Sequence, residues 1–225
     1  MCFLWLLLAL AVHSTAYPNP SELEKVAKDR PQLETVVDRG SLIWVWLDQH
    51  FRNTNGLPVI WSPGLPNLPR HYLSSHRYNE KGQAIILVVD KTEKGDPIQG
   101  EEFLSMLVYE LLNATHRDQF MRLDELAGKH EIKKEKYVEE MARIEHATAL
   151  EVKQFRVKFW VPNAVQKHLA WDNPYWKQGT FEDFDVYLRT VRAMHEAYPD
   201  DAFGPRFDYY FNEGVRQDVN STNQL

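Results

Sequence analysis

Residues 101–120 read EEFLSMLVYELLNATHRDQF, and this stretch decides the fold prediction. At the 100° per residue of an α-helix, one side of it forms an apolar stripe made of Leu104, Leu107, Val108 and Leu111. A second side carries a different set, Tyr109, Asn113, His116 and Phe120. A buried helix with a polar stripe of this kind is typical of a cleft lining or of a pairing with another polar helix.

The next predicted helix spans about residues 131–155 and carries a glutamate on its apolar side. Glu145 lies within about 20° of Val138 on the helical wheel, among further apolar residues. A carboxylate on a buried face is costly unless it has a partner. We therefore expect Glu145 to meet a hydrogen-bond donor, an arginine such as Arg117 or Arg122, or an open cleft. The same wheel places His146 on the solvated side.

The first of these helices resembles the motif helix of the zincin metallopeptidases, whose pattern is His-Glu-x-x-His. The segment Tyr109-Glu110-Leu111-Leu112-Asn113 stands in that place, so the glutamate is kept and both histidines are replaced. The resemblance covers about residues 70–155 and implies a zincin-like fold with Glu110 as a vestigial general base. In glutamate-type zincins a downstream helix supplies the third zinc ligand, which is where Glu145 stands. Tyr109, Asn113 and Glu145 would then be vestigial metal positions.

The donor atoms at these three positions suit zinc badly. Zinc hydrolases hold the metal mainly through imidazole nitrogens at about 2.0–2.1 Å and leave one position open for water. Tyrosine, asparagine and glutamate would offer three oxygens and no nitrogen. We therefore expect no bound cofactor. His116, which follows Asn113 on the same face, is the one candidate ligand for a shifted site, and zinc would be the cofactor if that alternative holds.

Composition and length indicate one ordinary globular domain. The chain has 225 residues, of which 44% are hydrophobic and 26% charged, and its formal net charge is −6. These values are too apolar for a disordered chain, and the absence of a basic patch argues against nucleic acid as a partner. Short helices, a hairpin over about residues 72–89 and three long helices predict a mostly helical α+β domain with a small sheet. It would span residues 17–217, before a flexible tail at 218–225.

The first 16 residues have the pattern of a secretory signal peptide. Their apolar run of about ten residues is too short to span a bilayer, and small residues at Ser14-Thr15-Ala16 precede the predicted cleavage point. We expect a secreted protein that begins at Tyr17 and has no membrane association after cleavage. Cys2 is the only cysteine, so the mature chain would lack a thiol nucleophile and any thiolate zinc ligand.

Two further groups of residues have both a structural and a functional interpretation. His71 and His76 lie in the predicted hairpin without a partner at ligand spacing, which favours solvated or hydrogen-bonded histidines. The acidic residues Glu182, Asp183 and Asp185 lie near several aromatic residues, as in a carboxylate-based sugar-cleaving site. The simpler interpretation of these acidic residues is a helix start that the helix dipole favours.

Three functions therefore stay open from the sequence. The first is a secreted zincin-like protein that has lost zinc binding and peptidase activity and binds a protein or peptide partner. The second is an active secreted hydrolase, either metal-dependent through His116 or carboxylate-based. The third is a secreted interaction protein of an unrelated fold.

Overall fold

The structure is a computed structural model that describes residues 21–63, 74–79, 81–91, 94–169, 176, 183–197 and 203–222. The predicted signal peptide, His71 and Glu182 lie outside the described residues. Within them the chain is mostly helical with one small sheet, which confirms the α+β prediction. None of the described helices combines the length and the apolar character that crossing a membrane requires.

Three helices form the N-terminal part, namely α1 (Glu22–Asp29), α2 (Leu33–Val36) and α3 (Leu42–Arg52). Serine side chains cap two of them. Ser21 Oγ accepts a hydrogen bond from the Glu24 backbone N–H, and Ser41 Oγ accepts one from the Trp44 N–H. These bonds satisfy backbone donors that have no partner inside the helix.

The sheet contains β1 (Ile60–Trp61), β2 (Ser74–Tyr78) and β3 (Ala84–Val88) in the order β1-β3-β2. β3 is central, parallel to β1 and antiparallel to β2, with His76 opposite Ile86. The predicted hairpin is therefore confirmed, and β2 is an edge strand. β3 is apolar and almost wholly buried, so the sheet is anchored in the core through its central strand.

Three long helices follow, namely α4 (Gly100–Thr115), α5 (Arg117–Gly128) and α6 (Lys134–Phe155). The prediction of one helix running from Glu101 to Phe120 was wrong, because the chain breaks at His116. There the His116 N–H bonds the Asn113 carbonyl, while the Thr115 hydroxyl donates to the Leu112 carbonyl at 2.6 Å. A side-chain bond of this kind competes with the regular helical pattern and ends it.

The helical path continues past residue 155, where the sequence predicted its end, and runs through Pro162. A π-helical segment (Arg156–Trp160) leads directly into α7 (Val161–Gln166), which holds the proline in its first turn. Proline has no N–H to donate and clashes with a carbonyl one turn back, and a locally wider helix accommodates this.

The last helices are α8 (Phe184–Ala197) and α9 (Phe203–Thr222). Asp183 Oδ1 caps α8 by accepting from the backbone N–H groups of Asp185 and Val186 at 2.7 and 3.2 Å. α9 reaches into the tail that was predicted from residue 218.

The core forms around α4. All four residues of its predicted apolar stripe are fully buried, and the helix packs against β3, α2 and α6. Gly100 at its start lies directly against the Gln32 carbonyl, where a Cβ atom would collide. α4 is thus enclosed on most sides, which determines where its polar residues can go.

Candidate functional site

The polar stripe of α4 faces polar residues of α6. The contacting pairs are Tyr109 with Glu145, Asn113 with Thr148, and His116 with Glu151. Each pair joins residues about 35 positions apart along the chain, so the two helices run parallel and in register. The sequence left open whether this stripe lines a cleft or pairs with another polar helix. In the structure it pairs with α6.

Tyr109, Glu145 and Tyr187 form a hydrogen-bonded group at the first of these contacts. The Tyr187 hydroxyl donates to Glu145 Oε2 at 3.5 Å, and the Tyr109 hydroxyl hydrogen-bonds with both of the other residues. Burial, together with the nearby charge of Glu110, raises the pKa of Glu145 to about 8. At pH 7 this carboxyl group is therefore mostly protonated and neutral. The predicted partnership of Glu145 with a donor is confirmed, and the donors are phenols rather than Arg117 or Arg122.

Asn113 occupies a closed position between the two helices. It is 1% exposed, and its Oδ1 accepts a 2.7 Å hydrogen bond from the hydroxyl of Thr148, which is 0% exposed. The second vestigial metal position thus faces α6 rather than an open cleft.

His116 is paired with a carboxylate of its own. Its Nε2 lies 3.2 Å from Glu151 Oε1, and its Nδ1 lies 3.4 Å from the Gln119 amide nitrogen. Among the described residues, no three histidine, cysteine, aspartate or glutamate side chains form a group that could hold a metal ion.

Glu110 points to the other side of α4, towards the edge strand β2. Its two oxygens accept hydrogen bonds from Ser74 Oγ at 2.7 Å and from His76 Nδ1 at 2.9 Å, and the residue is 4% exposed. A carboxylate only accepts, so the Nδ1 of His76 carries the hydrogen. Glu110 thus fastens β2 onto α4.

Sequence reasoning missed the role of His76. Spacing along the chain could not show its partner, because Glu110 lies 34 residues away. The available signal was the alternation of Ser74, His76 and Tyr78, which puts three polar residues on one face of an edge strand.

A partly buried ion pair lies beside this group. Arg206 of α9 donates to both oxygens of Asp124 of α5, at 3.0 and 2.6 Å, and the Tyr137 hydroxyl of α6 donates to the same carboxylate at 2.6 Å. The positive charge of Arg206 also acts on Glu145, where it opposes the rise in pKa. This bidentate pair locks three helices together and was not foreseen from the sequence.

His146 does not face solvent as the helical wheel had predicted. It is 8% exposed and its ring packs against Phe184 and Tyr187 of α8, at centroid distances of 5.6 and 5.2 Å. The prediction was wrong because α8 covers that side of α6.

An open groove of about 910 Å³ lies beside the first turns of α5 and the β2–β3 turn. It is lined by Leu57, Lys81, Gly82, Arg117, Asp118, Gln119, Met121, Arg122 and Glu125. Its lining combines the apolar Leu57 and Met121 with five charged side chains, of which Lys81 and Arg122 have no ion-pair partner among the described residues. The groove could therefore take an extended ligand with both apolar and acidic groups.

Comparison with known families, with characterised proteins and with solved structures finds no match to this chain.

Proposed function

We propose that this chain is a secreted zincin-like protein that has lost zinc binding and peptidase activity and acts by binding a protein or peptide partner. One observation carries the proposal. Glu145, which the zincin resemblance would make the third zinc ligand, is hydrogen-bonded by Tyr109 and Tyr187, and burial raises its pKa to about 8.

The zincin-like part of the proposal is supported by the placement of Glu110 and Glu145. Both lie on buried helices, and the edge strand β2 packs on the motif helix through Glu110. The charge of Glu110 contributes to the raised pKa of Glu145, while the Glu110 side chain itself faces β2.

The loss of zinc follows from the chemistry of these side chains. A carboxyl group must lose its proton to bind a metal ion, and burial in this environment favours the protonated form. Position 113 offers an amide whose oxygen already accepts from Thr148. Positions 109 and 113, where the resemblance would place two histidines, both lack the imidazole that zinc sites of this class use.

Elemental analysis of protein purified without chelators tests the loss of zinc. We expect far less than one zinc per chain, and no peptidase activity that a chelator removes. One zinc per chain, or chelator-sensitive cleavage of peptides, would contradict the proposal. N-terminal sequencing of the secreted protein tests the predicted signal peptide, and we expect the mature chain to begin at Tyr17.

The groove beside α5 is where we expect the partner. Peptides selected from a random library on the immobilised full chain should be acidic and partly apolar. Their affinity should fall at least tenfold in the variant Lys81→Glu/Arg122→Glu and stay unchanged in Lys28→Glu, whose exposed lysine lies on α1. Equal affinity for the groove variant would show that the partner site lies elsewhere.

An active secreted hydrolase is the second candidate, and His76 is the observation in its favour. A histidine that acts as a general base needs a carboxylate that orients one of its ring nitrogens. Its other ring nitrogen must be available to the reacting group. The Nδ1 of His76 is held by Glu110, while its Nε2 is buried and has no partner among the described residues. Hydrolysis of ester substrates that persists with chelator and disappears in His76→Gln would favour this candidate over the first.

A further inference from the structure

Two buried polar atoms on the inner face of β2 lack a partner. They are His76 Nε2 and the Tyr78 hydroxyl oxygen, and neither forms a hydrogen bond among the described residues. The His76 side chain is only 8% exposed. Buried polar groups almost always have a hydrogen-bond partner, which is an ordered water molecule where the protein supplies none.

The two atoms have opposite hydrogen-bonding roles. Because Nδ1 of His76 donates to Glu110, the Nε2 of an imidazole that carries a single ring hydrogen is an acceptor. Burial raises the pKa of Tyr78, so its hydroxyl stays a neutral phenol that can donate. An occupant that reaches both must therefore accept one hydrogen bond and donate another.

The two side chains lie together in a narrow, mostly aromatic space. They project from the same face of β2, and their ring centroids are 5.5 Å apart at an interplanar angle of 64°. The Phe120 ring of α5 closes the space, at 5.2 Å from the imidazole. The positive charges of Arg206 and Arg117 act on the Tyr78 hydroxyl, and so do the negative charges of Glu110 and Asp124. This balance favours a small neutral molecule over an ion.

We propose that one ordered water molecule is bound here, accepting from the Tyr78 hydroxyl and donating to His76 Nε2. The water extends the hydrogen-bonded chain that runs from Ser74 and His76 to Glu110. Through His76 and Glu110 it connects Tyr78 to the hydrogen bonds that join the edge strand to α4. The proposal is independent of the partner-binding function.

A high-resolution crystal structure of the full chain tests the site directly. We expect a water peak within about 3.2 Å of both atoms, the ordinary hydrogen-bonding range. An empty space, or an ion in place of the water, would overturn the proposal. So would a protein group bonded directly to either atom.

Urea unfolding of Tyr78→Phe gives a second test, in which the direction of the shift in the unfolding midpoint decides the outcome. If the hydroxyl holds a water, removing the hydroxyl should lower the urea concentration at the unfolding midpoint. The dependence of the unfolding free energy on urea concentration should not change. If the hydroxyl is unpaired in the folded protein, its removal should raise the midpoint, and the proposal fails. Tyr209→Phe is the matched control, because this tyrosine is 61% exposed and its variant should unfold like the wild type.

Discussion

The Thr148 hydroxyl donates a 2.7 Å hydrogen bond to the side-chain oxygen of Asn113, and both residues are buried between α4 and α6. Asn113 stands where the zincin resemblance would place a zinc-binding histidine. In this chain the residue joins two parallel helices. The contacts one turn earlier, at Tyr109 and Glu145, and one turn later, at His116 and Glu151, do the same.

Replacing Thr148 by valine should destabilise the fold. Valine keeps the shape but removes the donor, so Asn113 Oδ1 is left buried without that bond, at a cost of about 1–3 kcal/mol in the free energy of unfolding. Urea unfolding monitored by circular dichroism measures the change. Thr148→Ser keeps the hydroxyl and serves as the control. Wild-type stability of the valine variant would show that the bond contributes nothing.

The stability of the protein should fall as the pH rises from about 5 to about 8. Glu145 has a pKa of about 8 in the folded protein, against an ordinary value of 4.5. In this range the folded state therefore binds a proton that the unfolded state has released. The stabilisation is complete below the ordinary value and is lost as the pH rises through the folded value. Unfolding in urea at a series of pH values measures it.

Two substitutions separate this contribution from other titrating groups. Glu145→Gln keeps a neutral hydrogen-bonding side chain, so it should be tolerated at pH 7 and should flatten the stability profile in this range. Glu145→Ala leaves the Tyr109 and Tyr187 hydroxyls without their acceptor and should cost about 1–3 kcal/mol. A glutamine variant that keeps the full pH dependence would assign it to another group.

Glu110→Ala should loosen the edge strand before it affects the rest of the sheet. The substitution removes the acceptor of Ser74 and His76, which are the two bonds that tie β2 to α4. We expect faster amide hydrogen exchange at the β2 amides, with the buried strand β3 still protected. Glu125→Ala, at an exposed position of α5, is the control. Unchanged exchange in β2 would mean that the hairpin alone holds the strand.

The two ion pairs of α9 should differ strongly in their contribution to stability. Arg206→Ala leaves the buried carboxylate of Asp124 without its bidentate partner and should cost about 3 kcal/mol. Lys134→Ala breaks a 2.6 Å pair with Asp208 whose side chains are 46% and 52% exposed, and should cost at most about 1 kcal/mol. Thermal unfolding of both variants measures the difference, and equal losses would contradict it.

Local sequence patterns predicted much of the fold because the physical causes are local. The hairpin and the apolar stripe of α4 depend on residues within a few positions of one another. The end of α4 before His116 was not predicted, because the hydrogen bond of the Thr115 hydroxyl leaves the pattern of apolar residues unchanged. The helix through Pro162 was missed because a π-helical segment before it removes the usual clash.

The site could be predicted only where one helix face decides it. Periodicity gave the polar stripe of α4 and the buried position of Glu145. It could not supply Tyr187, His76 or Arg206, because these residues come from other elements and meet the site only through tertiary packing. The zincin resemblance pointed to Glu110, but the contacts of this glutamate with β2 depend on tertiary packing.

The pKa of Glu145 tests the account most directly, because a neutral carboxyl group in place of a metal ligand is its central claim. Carbon-13 NMR of the side-chain carboxyl, assigned with Glu145→Gln, follows its titration in the full chain. The account predicts a midpoint near pH 8, unchanged by added zinc. A midpoint at or below the ordinary 4.5, or one that zinc lowers, would contradict it.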